Sequence, residues 1–123
     1  MGMRLVLPLA ALVLTVSCAG TAYELPDRNA AQVKASEADL SQVVGASLDG
    51  ADCEVRLLGE SEGSSFVWAE CSGPLGGISA PMRVDGDNVR IPEDGGGYDD
   101  DVRRLFPDDV ADAILTDRER MRP

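Results

Sequence analysis

The stretch CEVRLLGESEGSSFVWAEC, Cys53–Cys71, decides how this chain folds. Its opening alternates apolar Cys53, Val55 and Leu57 with charged Glu54 and Arg56, the period of a half-buried strand. ESEGSS, Glu60–Ser65, is polar around a central glycine and reads as a hairpin connection. SFVWAECS, Ser65–Ser72, then resumes as a second strand rich in β-formers. If Cys53 faces Cys71 in an antiparallel pair, Val55 faces Ala69 and Leu57 faces Val67, and all six share one face. On the other face Arg56 would meet Trp68 and Leu58 would meet Phe66, both favourable pairs. Glu54 would oppose Glu70, so one of the two carboxylates must turn to solvent or take an arginine from elsewhere. A Cys53–Cys71 disulfide closing this loop adds about 3 kcal/mol in the chain-entropy model. A metal site on the same two cysteines lacks a third and fourth soft ligand, and the chain has no histidine.

Before the hairpin, Ser36-x-x-Asp39 forms an N-cap signal, and Leu40, Val43, Val44 and Leu48 follow on one helical face. Gly45 weakens that helix on propensity alone. After the hairpin, SGPLGG, Ser72–Gly77, reads as a turn-rich link without the Lys-Ser/Thr of a phosphate loop. ISAPMRV and NVRIP flank a two-residue Gly86-Asp87 turn of type II′, which pairs Val84 with Val89 and Met82 with Ile91. Pro81 places that segment at an edge or bulge. Asp85, Asp87 and Asn88 do not form a calcium loop, because Arg90 and Gly96 stand where glycine and an acid are required. Beyond Gly95–Gly97, Asp99–Asp101 opens one short helix with Val102, Leu105 and Phe106 on its apolar face. Pro107 and Asp108–Asp109 open another with Val110, Ala113 and Ile114. DRERMRP, Asp117–Pro123, reads as a charged fraying tail.

The elements add up to an α+β domain: an N-terminal helix, a four-stranded antiparallel sheet of two hairpins, two short C-terminal helices and one disulfide. The helices are expected to cover one side of the sheet. The order of one helix followed by a meander resembles the cystatin-like and NTF2-like group of small exported domains.

Composition narrows function by exclusion. Eleven basic residues against 22 acidic ones give a formal charge of −11, which repels nucleic-acid phosphates and anionic lipid alike. Without histidine there is no ordinary Ser-His or Cys-His nucleophile, and no zinc, copper or haem site; no metal and no cofactor is expected. The clustered Asp residues are ordinary helix-start chemistry rather than a cation site. Trp68, opposite the cysteines, is the candidate contact residue for a partner, set against a place in the core beneath a helix.

The chain begins MGMR, and LVLPLAALVLTV, Leu5–Val16, is the length of a secretory h-region and too short to cross a bilayer. A small-residue cleavage site could follow Ala22, which would release a free secreted domain. Alternatively, Thr15-Val16-Ser17-Cys18 resembles the lipobox of bacterial lipoproteins. That resemblance implies a diacylglycerol on Cys18, which becomes the new N-terminus. Cysteine counting favours this choice, since one lipid attachment and one disulfide account for all three cysteines. The expected organisation is a signal peptide over 1–17, a tether over 18–35 and a small α+β domain over 36–123. The expected function is a lipid-anchored extracytoplasmic binding or accessory protein, not an enzyme, meeting an envelope protein or a small ligand. A freely secreted inhibitor or ligand binder and a small carboxylate-dependent hydrolase are the alternatives.

Overall fold

A helix and a twisted meander start the fold. The computed structural model describes residues 23–74 and 76–123, together with Gly2. In chain order the elements are α1 (Ala31–Ser47), β1 (Asp52–Ser61), β2 (Ser64–Gly73), β3 (Gly76–Asp85), β4 (Asn88–Arg90), α2 (Tyr98–Leu105), α3 (Asp108–Thr116) and α4 (Arg118–Met121). The four strands form one antiparallel sheet in the order β1-β2-β3-β4. The molecule is therefore α+β, as its periodicities require.

The β1–β2 register is the expected one: Cys53 opposes Cys71, Val55 opposes Ala69 and Leu57 opposes Val67. The two cysteines are bonded, with Cα atoms 4.0 Å apart. One pair departs from expectation. A bulge at Leu58 sets Gly59, not Leu58, opposite Phe66. The predicted link at Ser72–Gly77 is also shorter than expected, because β2 and β3 pair along their whole length up to Gly73↔Gly76. The two hairpins are thus joined by a third. Gly86 takes φ +60, as a type II′ turn demands, and Val84 faces Val89. The ladder ends at Arg83↔Arg90, so Ile91 packs into the same core as Met82 without pairing to it.

Helices cover both faces of the sheet, not the single face expected. On the disulfide side, Val55, Leu57, Val67, Ala69 and Met82 lie beneath Val44, Leu40, Val43 and Leu48 of α1. On the other side, Leu58, Phe66 and Trp68 lie beneath Val102 and Leu105 of α2, Phe106 just after it, and Val110 and Ile114 of α3. The alternation of β2 explains this: both of its faces are apolar, so both need cover, and Phe66 through Ala69 are all buried.

The body also begins earlier than expected. Helix α1 starts at Ala31, not Ser36, and Tyr23 and Leu25 already pack on the α2–α3 side of the core. Of the expected tether over 18–35, residues 23–35 therefore belong to the folded body. At the other end the expected fraying tail is held, because Met121 of α4 is fully buried.

Gly45 is more than a weak helix former. It is buried near the end of α1, and a Cβ there would lie 2.5 Å from the Ala51 carbonyl oxygen. Leu48 and Gly50 both donate backbone N–H groups to the Gly45 carbonyl, which locks that approach. Gly45→Ala should therefore destabilise by about 1–3 kcal/mol despite alanine's better helix propensity. Urea denaturation checks it; an unchanged or raised midpoint would mean that α1 can slide away from β1.

Candidate functional site

Trp68 is a core residue in this structure. It is 3% exposed, and its indole Nε1 donates to Ser79 Oγ at 2.9 Å. Ser79 in turn donates to Glu70 Oε2 at 3.1 Å. Arg122, just after α4, closes the chain by donating to the same oxygen from Nε at 3.0 Å and Nη2 at 2.6 Å. Glu70 has thus found the distant arginine that the opposed pair Glu54↔Glu70 needed, while Glu54 stays exposed. The hydrogen bonds from Arg122 and then Ser79 hold the Glu70 carboxyl below its usual range. Arg56 reaches the same strap, donating from Nη1 to the Arg120 carbonyl at 2.8 Å. The helical cover over Trp68 leaves it no face for direct contact with a macromolecular partner. Cys53 and Cys71 stand bonded as expected, and Cys18 lies outside the described residues.

The carboxylates with displaced titration are all displaced downward. Asp85 falls to about 2, held chiefly by the Ser64 hydroxyl and then by Arg90 and Arg83. Asp101 is lowered by the backbone N–H of Glu93, with Arg104 assisting. Such groups are ion-pair anchors that stay charged at neutral pH, whereas a general acid needs its carboxyl raised. Among the described residues no three of His, Cys, Asp and Glu come together as a metal site. No described helix is long and apolar enough to cross a membrane.

Two of the surface depressions among the described residues adjoin features already met. The first, about 390 Å³, lies between Tyr23, Glu24, the Leu58 bulge, Glu60 and Asp109. The Tyr23 hydroxyl donates to the Leu58 carbonyl that the bulge leaves without a ladder partner. The second, about 450 Å³, runs between the end of α1 and the β2–β3 hairpin and is lined by Leu48, Ala51, Pro74 and Ile78. Ile78 is 36% exposed and is the one large apolar side chain at the surface among the described residues.

Sequence reasoning missed Tyr23, Arg28 and Glu37. The outward backbone groups of β1 are covered from the N-terminal segment and α1. Glu37 Oε2 accepts from Leu57 N–H at 2.7 Å, and Arg28 Nη2 donates to the Val55 carbonyl at 3.4 Å. Arg28 and Glu37 also pair with each other at 3.4 Å. Glu37 is only 9% exposed, and its buried carboxylate is satisfied by that amide and that arginine. The signal available beforehand was Tyr23-Glu24-Leu25-Pro26, whose apolar residues are out of place in a free tether.

Comparison with known protein families, with curated proteins and with solved structures finds no match for this chain.

Burial, aided by Asp109, pushes the Tyr23 phenol up to about 12 from an ordinary value near 10. A raised value means the neutral phenol is favoured in the folded state. Its contribution is fully present below pH ~10 and is lost as pH rises from ~10 through ~12. Tyr23→Phe should cost about 1 kcal/mol at neutral pH and flatten the alkaline loss of stability. Denaturant midpoints of both forms across that pH range check it. Parallel curves would show that the phenol does not hold the bulge.

Proposed function

We propose that this chain is a lipid-anchored extracytoplasmic binding or accessory module of a bacterial envelope. The observation that carries the reading is the partition of its three cysteines. Cys53 and Cys71 are bonded to each other, which leaves Cys18 alone behind the apolar run Leu5–Val16 and the small residue Ser17. A disulfide within a small domain suits an oxidising compartment, which is where such a leader would deliver it.

The start of the folded body adds a spatial consequence. Tyr23 is bonded to Leu58, so only five Cα steps separate it from Cys18. Five trans peptide steps span at most about 18 Å. A lipid on Cys18 would therefore hold the domain close against the bilayer rather than at the end of a long tether. Glu24, Glu60 and Asp109 line the depression beside Tyr23, so that side of the domain carries negative charge. An anionic lipid surface would repel it, and the anchor alone would supply the attachment.

Intact mass of the membrane-extracted protein, with and without reductant, tests the reading. It should start at Cys18 plus a diacylglyceryl group and gain two hydrogens on reduction. A lipid-free mass starting near Tyr23 would make the protein a free secreted domain and move the search for its partner to soluble targets.

A further inference from the structure

Sheet edges expose unpaired N–H and C=O groups, and folds blunt them with short strands, charges or cover. Most of this sheet obeys. The outer edge of β1 is covered by Arg28 and Glu37, with Tyr23 capping the bulge. β4 is three residues long and carries Arg90. The exception is the first half of β3. β4 pairs only with Arg83–Asp85, so Gly76–Ala80 has no neighbour on its outer side among the described residues.

Register identifies the open groups. Cys53↔Cys71, at 4.0 Å between Cα atoms, is the close non-hydrogen-bonded kind of pair, so Cys71 turns its amide and carbonyl toward β3. Ile78 opposes Cys71 and Ala80 opposes Ala69, which makes these the bonded residues of β3. Gly77 and Ser79 between them point both N–H and C=O outward. Pro81, the next outward residue, has no N–H to leave unpaired. The segment from Gly73 to Met82 carries no charge, in a chain where 33 of 123 residues are charged (11 basic and 22 acidic). Ile78 sits in the middle of it, exposed, on the same side of the sheet as Leu48 and the groove beneath α1.

We propose that this edge pairs antiparallel with the same edge of a second copy, in a register centred on Ile78. Gly77 then opposes Ser79 of the second copy, and Ser79 opposes its Gly77, which gives four backbone hydrogen bonds. Ile78 faces its own counterpart as a close non-hydrogen-bonded pair. Centring on Ser79 would bring Pro81 opposite Gly77 and lose a donor, so the Ile78 register uses the open groups best. Gly77 has no side chain to obstruct Ser79. The pair joins two sheets into one of eight strands and covers the exposed apolar side chain of each copy. A contact this short buries less than the roughly 1,200 Å² of stable interfaces, so the dimer is weak and reversible. Each copy carries −11, so association strengthens as salt screens the repulsion. The inference rests on the sheet edge alone and is independent of the anchor on Cys18.

Sedimentation of the full chain with Cys18→Ser tests it. A dimer should appear with rising concentration, and should gain as ionic strength rises from roughly 0.05 to 0.5 M. Ile78→Lys, at an exposed position, should keep the fold and weaken the dimer about tenfold or more. In the same background, Ile78→Cys should form an intermolecular disulfide much faster than Glu62→Cys at the exposed β1–β2 turn. A chain that stays monomeric throughout overturns the proposal and leaves the edge for a strand of another protein. A dimer that survives Ile78→Lys, or equal cross-linking at both positions, overturns it as well.

Discussion

The β1–β2 ladder is the constraint on which the rest depends. Its Cys53↔Cys71 pair fixes parity, and parity assigns every side chain of the two strands to one core or the other. A slip of one residue would turn Val55 and Leu57 out from beneath α1 and send Arg56 in. β2 sits at the centre of the sheet with both faces apolar, so it can be solvated on neither. Helix α1 closes one side and α2–α4 close the other, giving two cores separated by a single sheet. For so small a body, each core is thin, and a covalent link between β1 and the well-buried β2 is a large part of what keeps both in register.

Polar chemistry serves the same end at the margins. The segment from Tyr23 to Glu37 and the C-terminal strap converge on β1 and β2. Tyr23, Arg28 and Glu37 satisfy the outward groups of β1, while Arg56 and Glu70 hold the strap that buries Met121. Arg83 plays a similar part on β3. It lies 5.8 Å from the Phe66 ring centre, donates to the Leu105 carbonyl at 3.1 Å and pairs with Asp85. Exposed ion pairs such as these contribute little each, so the apolar anchors Met121 and Leu58 carry more of the stability than the arginines around them.

How much of this was legible in the sequence follows from the range of each interaction. Period-two alternation and two cysteines sufficed for the β1–β2 register, because both are local. The bulge at Leu58 was not legible, since it is set by Phe66 packing beneath α3 and by Tyr23, 35 residues away. The faces of α1, α2 and α3 followed from their spacing, yet α1 starts earlier than its Ser36 signal, with no side-chain cap and with Val33 alone of its first five residues packed against the core. The tail Asp117–Pro123 misled for a related reason: one methionine among charged residues shows no period, and only the sheet beneath reveals its pocket. Of the candidate site residues, the disulfide was legible and the core place of Trp68 was foreseeable from β2's double apolarity. The open edge at Gly77–Ser79 was hidden, because SGPLGG reads as a loop until β2 is seen to pair through it.

Amide hydrogen exchange along β3, at low ionic strength where copies stay apart, tests the register most directly. Ile78 and Ala80 donate inward to β2 and should exchange slowly, while Gly77 and Ser79 point outward and should exchange fast. The reverse alternation would mean that the sheet has slipped by one residue, contradicting both the two-core assignment and the open edge.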